Sequence, residues 1–272
     1  NGGILGPTLI FNQGENVDIS VKNLLDDTTT IHWHGMHVSA ENDGGPHTTI
    51  APNTIWNPSF TVLDKAGTYW YHPHLHKKTN EHDTMGIAGF IIVRDLEESM
   101  LDLPRRYGID DFPLAIQTKN IDSGKQIVFP SNTDSVVMVN ATIDAELSVP
   151  AQIVRFRLLN GSSQRVFNIG LSNSKEFYQI GSDGGLLNEP ILMDRLMLSP
   201  GERAEVLVDF SGMEGLIIEL ISYASEISNG IFGATNPGVS MGMGFGLDMD
   251  GYDPNPLNGT DFKIMQIGRA HV

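Results

Sequence analysis

The sequence predicts an all-β protein made of two consecutive β-sandwiches. Apolar and polar residues alternate over many short segments, which is typical of strands with one face toward a core. β-branched and aromatic runs are separated by Gly, Asn and Pro at intervals expected of a sandwich or barrel. The 29 Gly and 14 Pro residues are scattered along the chain, and helical patterns are scarce.

The first sandwich is predicted over residues 1–95, where Val17, Ile19 and Val21 alternate with polar neighbours. Residues 96–111 lack this alternation and are rich in charge. They are predicted to be the linker between the two domains.

The second sandwich is predicted over residues 112–222. Within it, Val154, Phe156 and Leu158 alternate with Arg155 and Arg157, as expected of a strand. The strand-like segments of the two halves follow in a similar order, without a close sequence repeat.

The composition changes again over residues 223–266, where Gly and Met residues are frequent. This segment is predicted to be a long surface excursion with a possible last strand over residues 261–267. Thioethers are soft ligands that can bind copper(I), but Met241, Met243 and Met249 are interpreted as incidental members of a Gly-rich loop.

Both ends of the chain suggest that its natural termini lie elsewhere. Asn1 is not a start methionine, and the residues after it resemble the interior of a domain. Residues 267–272 match the translation of a common sequencing adapter and are expected to be a non-native tail. His271 then carries no function.

The composition excludes several classes of function. The chain has 272 residues and a net charge of −16, which argues against binding nucleic acid or an anionic membrane through charge. No apolar run is long enough to span a bilayer. The chain has no Cys, which excludes disulfides, thiolate nucleophiles and thiolate-bound metals.

Two His-X-His pairs are the strongest chemical signal in the sequence: His32 with His34, and His72 with His74. Residues i and i+2 of a strand share one face, about 6.5–7 Å apart. If the two strands lie side by side, four imidazoles converge, and imidazole suits copper, zinc, iron or nickel. Trp33 then points to the opposite face, where it can pack in the core.

Pro73 and the histidines outside the two His-X-His pairs are not predicted to bind the metal. Pro73 cannot donate a ladder hydrogen bond, so its strand is expected at a sheet edge or to be irregular there. His37 and His76 are expected beside the metal ligands or facing solvent. His47 and His82 are expected to be ordinary polar loop residues.

Asp43 lies in a Gly-rich turn and has two readings. It forms the turn, as Asp commonly does, or its carboxylate orients a ligand or relays protons.

These segments resemble a known family. The first domain is similar to the first cupredoxin domain of three-domain multicopper oxidases, in the bacterial laccase and copper-efflux oxidase branch. The matching motifs are Thr29-Thr30-Ile31-His32-Trp33-His34-Gly35, Asp43-Gly44-Gly45-Pro46 and Gly67-Thr68-Tyr69-Trp70-Tyr71-His72-Pro73-His74. Further motifs resemble that family's linker and second domain, so the resemblance covers about residues 2–212.

The resemblance implies two cupredoxin-like Greek-key sandwiches and copper as the cofactor. It implies O2 and a small reducing substrate as reactants and a periplasmic or extracellular location. Carried over by position, His32 would bind the type 2 copper, and His34, His72 and His74 would bind the type 3 pair. Asp43 matches an acidic residue expected to assist proton delivery.

The chain also departs from the family pattern. The resemblance implies eight cluster histidines and a type 1 copper bound by a Cys, with four of those histidines and all type 1 ligands in a third domain. The chain therefore resembles half of such a cluster.

Three other readings remain beside a fragment of a laccase-like oxidase. The four histidines could form a non-redox Cu- or Zn-binding module. A cupin-type metalloenzyme ranks last, because Val38 and Ser39 stand where its acidic ligand would be. An oligomer of this sequence could at most place copies of the same half-site together.

Overall fold

A computed structural model of the chain describes residues 4–131, 133–237 and 255–271. Strands make up 43% of the residues and helices are few, so the predicted all-β fold is confirmed. The chain divides into two compact units. One comprises Asn1–Leu103 and Gly181–Leu186, and the other comprises Pro104–Ile180 and Leu187–Val272.

The first unit has eight strands in its described part. In chain order they are β1 (Leu9–Asn12), β2 (Asn16–Asp18), β3 (Val21–Lys22), β4 (His32–His34), β5 (Ile55–Trp56), β6 (Ser59–Thr61), β7 (Gly67–His72) and β8 (Gly89–Arg94). Helix α1 (Thr79–Thr84) connects β7 to β8, and helix α2 (Leu96–Ser99) follows β8.

The main sheet of this unit has the order β1-β8-β7-β4, with β1 parallel to β8 and the other pairs antiparallel. Strands β2 and β6 form one small sheet, and β3 and β5 form another. Trp33 is 1% exposed and stacks on Trp56, with ring centroids 6.0 Å apart. The prediction that Trp33 packs in the core is therefore confirmed.

The remaining strands belong to the second unit, apart from the ends of β15 and β16 that lie within Gly181–Leu186. They are β9 (Asp111–Lys119), β10 (Val136–Val139), β11 (Thr142–Ile143), β12 (Glu146–Pro150), β13 (Ile153–Asn160), β14 (Phe167–Leu171), β15 (Phe177–Ser182), β16 (Gly185–Met193), β17 (Leu196–Leu198), β18 (Arg203–Asp209), β19 (Ile217–Ser222) and β20 (Phe262–His271). One sheet has the order β11-β10-β9-β13-β18-β15-β16, and the other has the order β12-β20-β19-β14-β17. Single 3-10 turns lie at Ser172–Ser174 and Ala224–Glu226.

The core of this unit combines residues from both sheets. Phe156 and Val206 of the seven-stranded sheet belong to the same buried cluster as Phe167, Leu220 and Ile264 of the five-stranded sheet. Burial of these apolar side chains is the main favourable contribution to folding such a sandwich.

The last strand is longer than the sequence predicts. Residues 261–267 were expected to form it, whereas β20 continues to His271. The extension includes most of the segment interpreted as a non-native tail. Gly268 pairs with Ser148 of β12 on one side and with Ile217 of β19 on the other, so backbone groups on both sides support the extra length. Met241, Met243 and Met249 lie outside the described residues.

Strand β13 buries two arginines as well as its apolar face. Arg155 and Arg157 are 0% exposed. Arg157 donates from Nε and Nη2 to the two carboxylate oxygens of Asp111 at 2.7 and 3.0 Å, and from Nη1 to Glu205 at 2.7 Å. Arg155 also donates to Glu205, at 2.9 Å from its Nε. The four charges compensate one another on the face of β13 opposite the apolar core.

Among the described residues, no helix combines the length and the hydropathy that crossing a bilayer would require.

Candidate metal centre

Strands β4 and β7 bring three of the four predicted ligands together. The two strands are antiparallel, with His32 opposite His72 and His34 opposite Trp70. Because side chains alternate across a strand, these residues share one face of the sheet, while Trp33 and its partner Tyr71 share the other. The spacing in the sequence therefore becomes a cluster through the register of a single strand pair.

The imidazoles of this cluster are close to one another. Possible ligand atoms of His32, His34 and His72 all lie within 4.8 Å of one another. His34 Nδ1 is 3.0 Å from His72 Nε2, and the His32 ring centroid is 5.5 Å from that of His72. This donor set suits a borderline metal such as copper or zinc.

His74 belongs to the cluster but not to the ladder. Strand β7 ends at His72, and His74 is an exposed residue beyond that end. Its ring centroid is 5.4 Å from that of His32 and 5.8 Å from that of His72. The sequence predicts an edge or an irregularity at Pro73. Strand β7 is an inner strand, between β8 and β4, and the irregularity is its end just before Pro73.

Asp43 is held against β4 by a loop whose backbone pairs with the strand. The Trp33 indole donates to the carbonyl of Asn42 at 2.9 Å, and the Trp33 amide donates to the carbonyl of Asp43 at 3.3 Å. His32 Nδ1 then lies 3.0 Å from that Asp43 carbonyl oxygen and 3.1 Å from Asp43 Oδ2. Two oxygen acceptors favour the proton on Nδ1, which leaves Nε2 of His32 available to a metal.

His72 is held as a neutral imidazole. Burial lowers the pKa of His72 to about 3, so the ring is unprotonated at neutral pH. Its Nδ1 lies 2.8 Å from the carbonyl oxygen of Pro73, and its ring stacks on Trp70 with centroids 4.1 Å apart. A neutral ring with a fixed orientation is the form that binds metals.

The other histidines divide into two groups. His47 and His76 are exposed, and the His37 side chain is 82% exposed with its Nδ1 2.6 Å from Asp64. His82 is buried in helix α1, with its Nδ1 3.1 Å from Thr29 Oγ1. The prediction that His82 lies in an ordinary polar loop is therefore wrong. The short polar segment around His82 looks like a loop in sequence, but it forms a short helix. The distant Thr29 supplies the hydrogen-bond partner of the buried His82 ring.

Sequence reasoning missed the special requirement at Gly44. This residue has φ = +71°, and a Cβ placed there would lie 1.6 Å from the backbone oxygen of Ile31. Only glycine lets the Asp43 loop approach the start of β4 so closely. The tandem glycines after Asp43 were the available signal.

Replacing Gly44 by Ala should therefore push the Asp43 loop away from His32. We expect G44A to lower the free energy of unfolding by more than the ~1–3 kcal/mol of a strained backbone alone. Urea denaturation followed by Trp fluorescence measures this, because all three Trp residues lie at positions 33, 56 and 70.

Gly14 is the matched control for that change. It also has a positive φ, of +86°, but a Cβ there meets nothing within 4 Å. G14A therefore isolates the cost of the backbone conformation. Equal losses in G14A and G44A would contradict the close approach at Gly44.

Comparison with known proteins points to one family. Residues 1–98 match the family model described as multicopper oxidase. The chain is 33% identical over 277 residues to the multicopper oxidase mco of Staphylococcus aureus, covering 98% of this chain and 61% of that protein. It is also 35% identical over 223 residues to the cell division protein FtsP of Xenorhabdus nematophila, covering 80% of this chain and 47% of that protein.

Solved structures agree in fold. A laccase-like multicopper oxidase, CueO, from Ochrobactrum sp. has a TM-score of 0.82 at 34% identity, covering 98% of this chain and 55% of that one. A laccase from Pediococcus acidilactici has a TM-score of 0.77 at 39% identity, covering 80% of this chain and 49% of that one. The cupredoxin-like fold prediction is thereby confirmed. The chain spans about half the length of most of these relatives.

Proposed function

Because the chain belongs to the multicopper oxidase family, we propose that its histidine cluster contributes to a copper site at which O2 is reduced to water. The electrons would come one at a time from a small reducing substrate, such as a phenol or a metal ion. We also propose a periplasmic or extracellular location, as the family resemblance implies.

One observation carries this proposal: the β4–β7 strand pair brings His32, His34 and His72 together, and His74 joins them just beyond the end of β7. The ligand atoms of His32, His34 and His72 lie within 4.8 Å of one another, with His74 close to His32. His32 and His72 each have Nδ1 within 3.0 Å of a backbone carbonyl oxygen, which leaves Nε2 to face a metal such as copper. The donor set therefore fits the cofactor that the family implies.

We propose distinct roles for the cluster residues. His32 would hold the type 2 copper, and His34, His72 and His74 would hold the type 3 pair. Copper held by these four histidines would supply one-electron redox chemistry at the site.

We propose that Asp43 keeps a proton on His32 Nδ1 and delivers protons to this site. Its Oδ2 lies 3.1 Å from His32 Nδ1, and its side chain is 27% exposed. A carboxylate that contacts both a ligand ring and solvent can keep the proton on His32 Nδ1 and exchange protons with water. Asp43 would thus orient His32 and deliver protons toward the metal face.

The four histidines would be only part of a complete cluster. Four imidazoles cannot saturate three copper ions, and the 272 residues include no Cys to bind a type 1 copper. We therefore propose that full oxidase activity needs further ligands beyond those of this chain. An oligomer of the same sequence would add only copies of the same half-site.

Copper titration of the purified chain tests the proposal. We expect Cu(II) to bind with an electron paramagnetic resonance spectrum showing several nitrogen ligands and without the intense thiolate-to-copper absorption band near 600 nm, since the chain has no Cys. After reduction by ascorbate, exposure to O2 should restore the Cu(II) signal and consume O2.

Two results would count against it. The absence of copper binding would overturn the proposed site. Tight binding of both Cu(II) and Zn(II) without any reoxidation of reduced copper by O2 would instead favour a non-redox metal-binding module.

A further inference from the structure

His74 is the one cluster histidine that strand pairing does not position. His32, His34 and His72 lie in β4 and β7, whose register sets their spacing. His74 lies two residues after the end of β7 and is exposed. An exposed side chain outside a strand is free to change its orientation unless another contact restrains its backbone.

Thr30 supplies such a contact. It is 0% exposed, and its Oγ1 accepts a hydrogen bond from the backbone amide of His74 at 2.6 Å. Thr30 precedes His32 by two residues, so this bond ties His74 directly to the chain that leads into β4. The two partners are 44 residues apart in sequence.

The neighbouring residue anchors the chain that follows His74. The Thr29 amide donates to the Ile50 carbonyl at 3.1 Å, and the Ile50 amide donates to the Thr29 carbonyl at 2.8 Å. Its Oγ1 lies 3.1 Å from Nδ1 of the buried His82 in helix α1. Thr29 and Thr30 therefore hold the segment 74–82 at two points, and the first of them is His74 itself.

We infer that Thr30 is a positioning residue for His74, and that its buried hydroxyl holds this imidazole beside His32 for metal binding. The inference rests on the proposed copper function. It assigns the hydroxyl a role that the strand register cannot fill, because the ladder ends at His72.

The inference predicts that loss of the hydrogen bond between the His74 amide and Thr30 Oγ1 weakens the binding of some copper ions and not of others. A metal that needs His74 should bind more weakly without the Thr30 hydroxyl, whereas a metal held by His32, His34 and His72 should keep its affinity. Valine has the shape of threonine but no acceptor, so T30V removes the acceptor of the His74 amide. T30S keeps an acceptor at the same place.

The test compares Cu(II) titrations of the wild-type chain, T30V, T30S and H74A. We expect T30V to reproduce the defect of H74A, with about a tenfold weaker affinity for the copper ion that requires His74. The number of nitrogen ligands in the electron paramagnetic resonance spectrum should fall by one in both variants. T30S should restore both values.

Thr28 provides the control, because it is a nearby half-buried threonine in the same segment. T28V should bind copper as the wild-type chain does. If T30V does not fold, as judged by circular dichroism, T30A removes the same hydroxyl with a smaller side chain and serves in its place.

The outcomes separate this inference from the proposed function. If H74A weakens copper binding and T30V does not, the role of Thr30 is wrong while the copper site stands. If the wild-type chain binds no copper, the proposed function fails and the role of Thr30 fails with it.

Discussion

Replacing His32 and His72 together by alanine should abolish copper binding at concentrations that saturate the wild-type chain. These two residues lie opposite each other in the β4–β7 register, so the double variant removes one ligand from each strand. Loss of an outer hydrogen-bond partner alone typically costs ~10–100-fold in metal affinity. Losing two direct ligands should therefore raise the apparent Kd by at least about 100-fold.

A matched control removes two histidines outside the cluster. His47 and His76 are both exposed, so the H47A, H76A variant has the same number of histidines as H32A, H72A. We expect the control to bind copper with the wild-type Kd. Competition titration against a chelator of known affinity measures all three proteins. Wild-type affinity in H32A, H72A would remove the proposed site altogether.

Replacing Glu205 by Gln should cause the largest loss of stability. The Glu205 carboxylate accepts hydrogen bonds from both Arg155 and Arg157, and all three side chains are at most 1% exposed. E205Q keeps the size of the side chain but removes its negative charge from beside two buried guanidinium groups. Breaking a buried ion pair in this way costs about 3–5 kcal/mol.

Glu97 is the matched control for this substitution. It also pairs with a basic residue, at 3.2 Å from Lys65, but its side chain is 74% exposed. Exposed ion pairs contribute at most about 1 kcal/mol, so E97Q should be close to wild type. Urea unfolding should be followed by circular dichroism, since the Trp residues all lie before residue 71. A loss below about 1 kcal/mol in E205Q would contradict the proposed charge balance.

The sequence predicts the chemistry of the site better than its geometry. Two His-X-His pairs on strand-like segments are enough to predict a metal cluster, because the two-residue period of a strand places both members of each pair on one face. The convergence of the two pairs is a different matter, because even His34 and His72 are 38 residues apart in sequence. Only the register that sets His32 opposite His72 makes the pairs converge, and a shift of one residue would have separated them.

Three features of the site depend on contacts that sequence patterns do not contain. Gly44 is required because its loop approaches the backbone of Ile31. Thr30 contacts His74, far along the chain. His82 is buried in a helical turn although its neighbours are polar. Each feature arises from distant segments packing together, so local composition cannot reveal it.

The same distinction applies to the second sandwich. Alternation along residues 153–160 predicts the strand β13, but it is equally compatible with arginines that face solvent. The structure buries Arg155 and Arg157 because Asp111 and Glu205, on the two neighbouring strands, neutralise them.

By itself, the sequence determined an all-β chain with four candidate metal ligands, because strand periodicity and ligand spacing are local properties. The tertiary structure alone decided which histidines lie within reach of one metal, which protein oxygens lie beside Nδ1 of His32 and His72, and which threonine and glycine hold the site. These properties depend on strand register and on backbone contacts between distant segments, and both are set only when the whole domain packs.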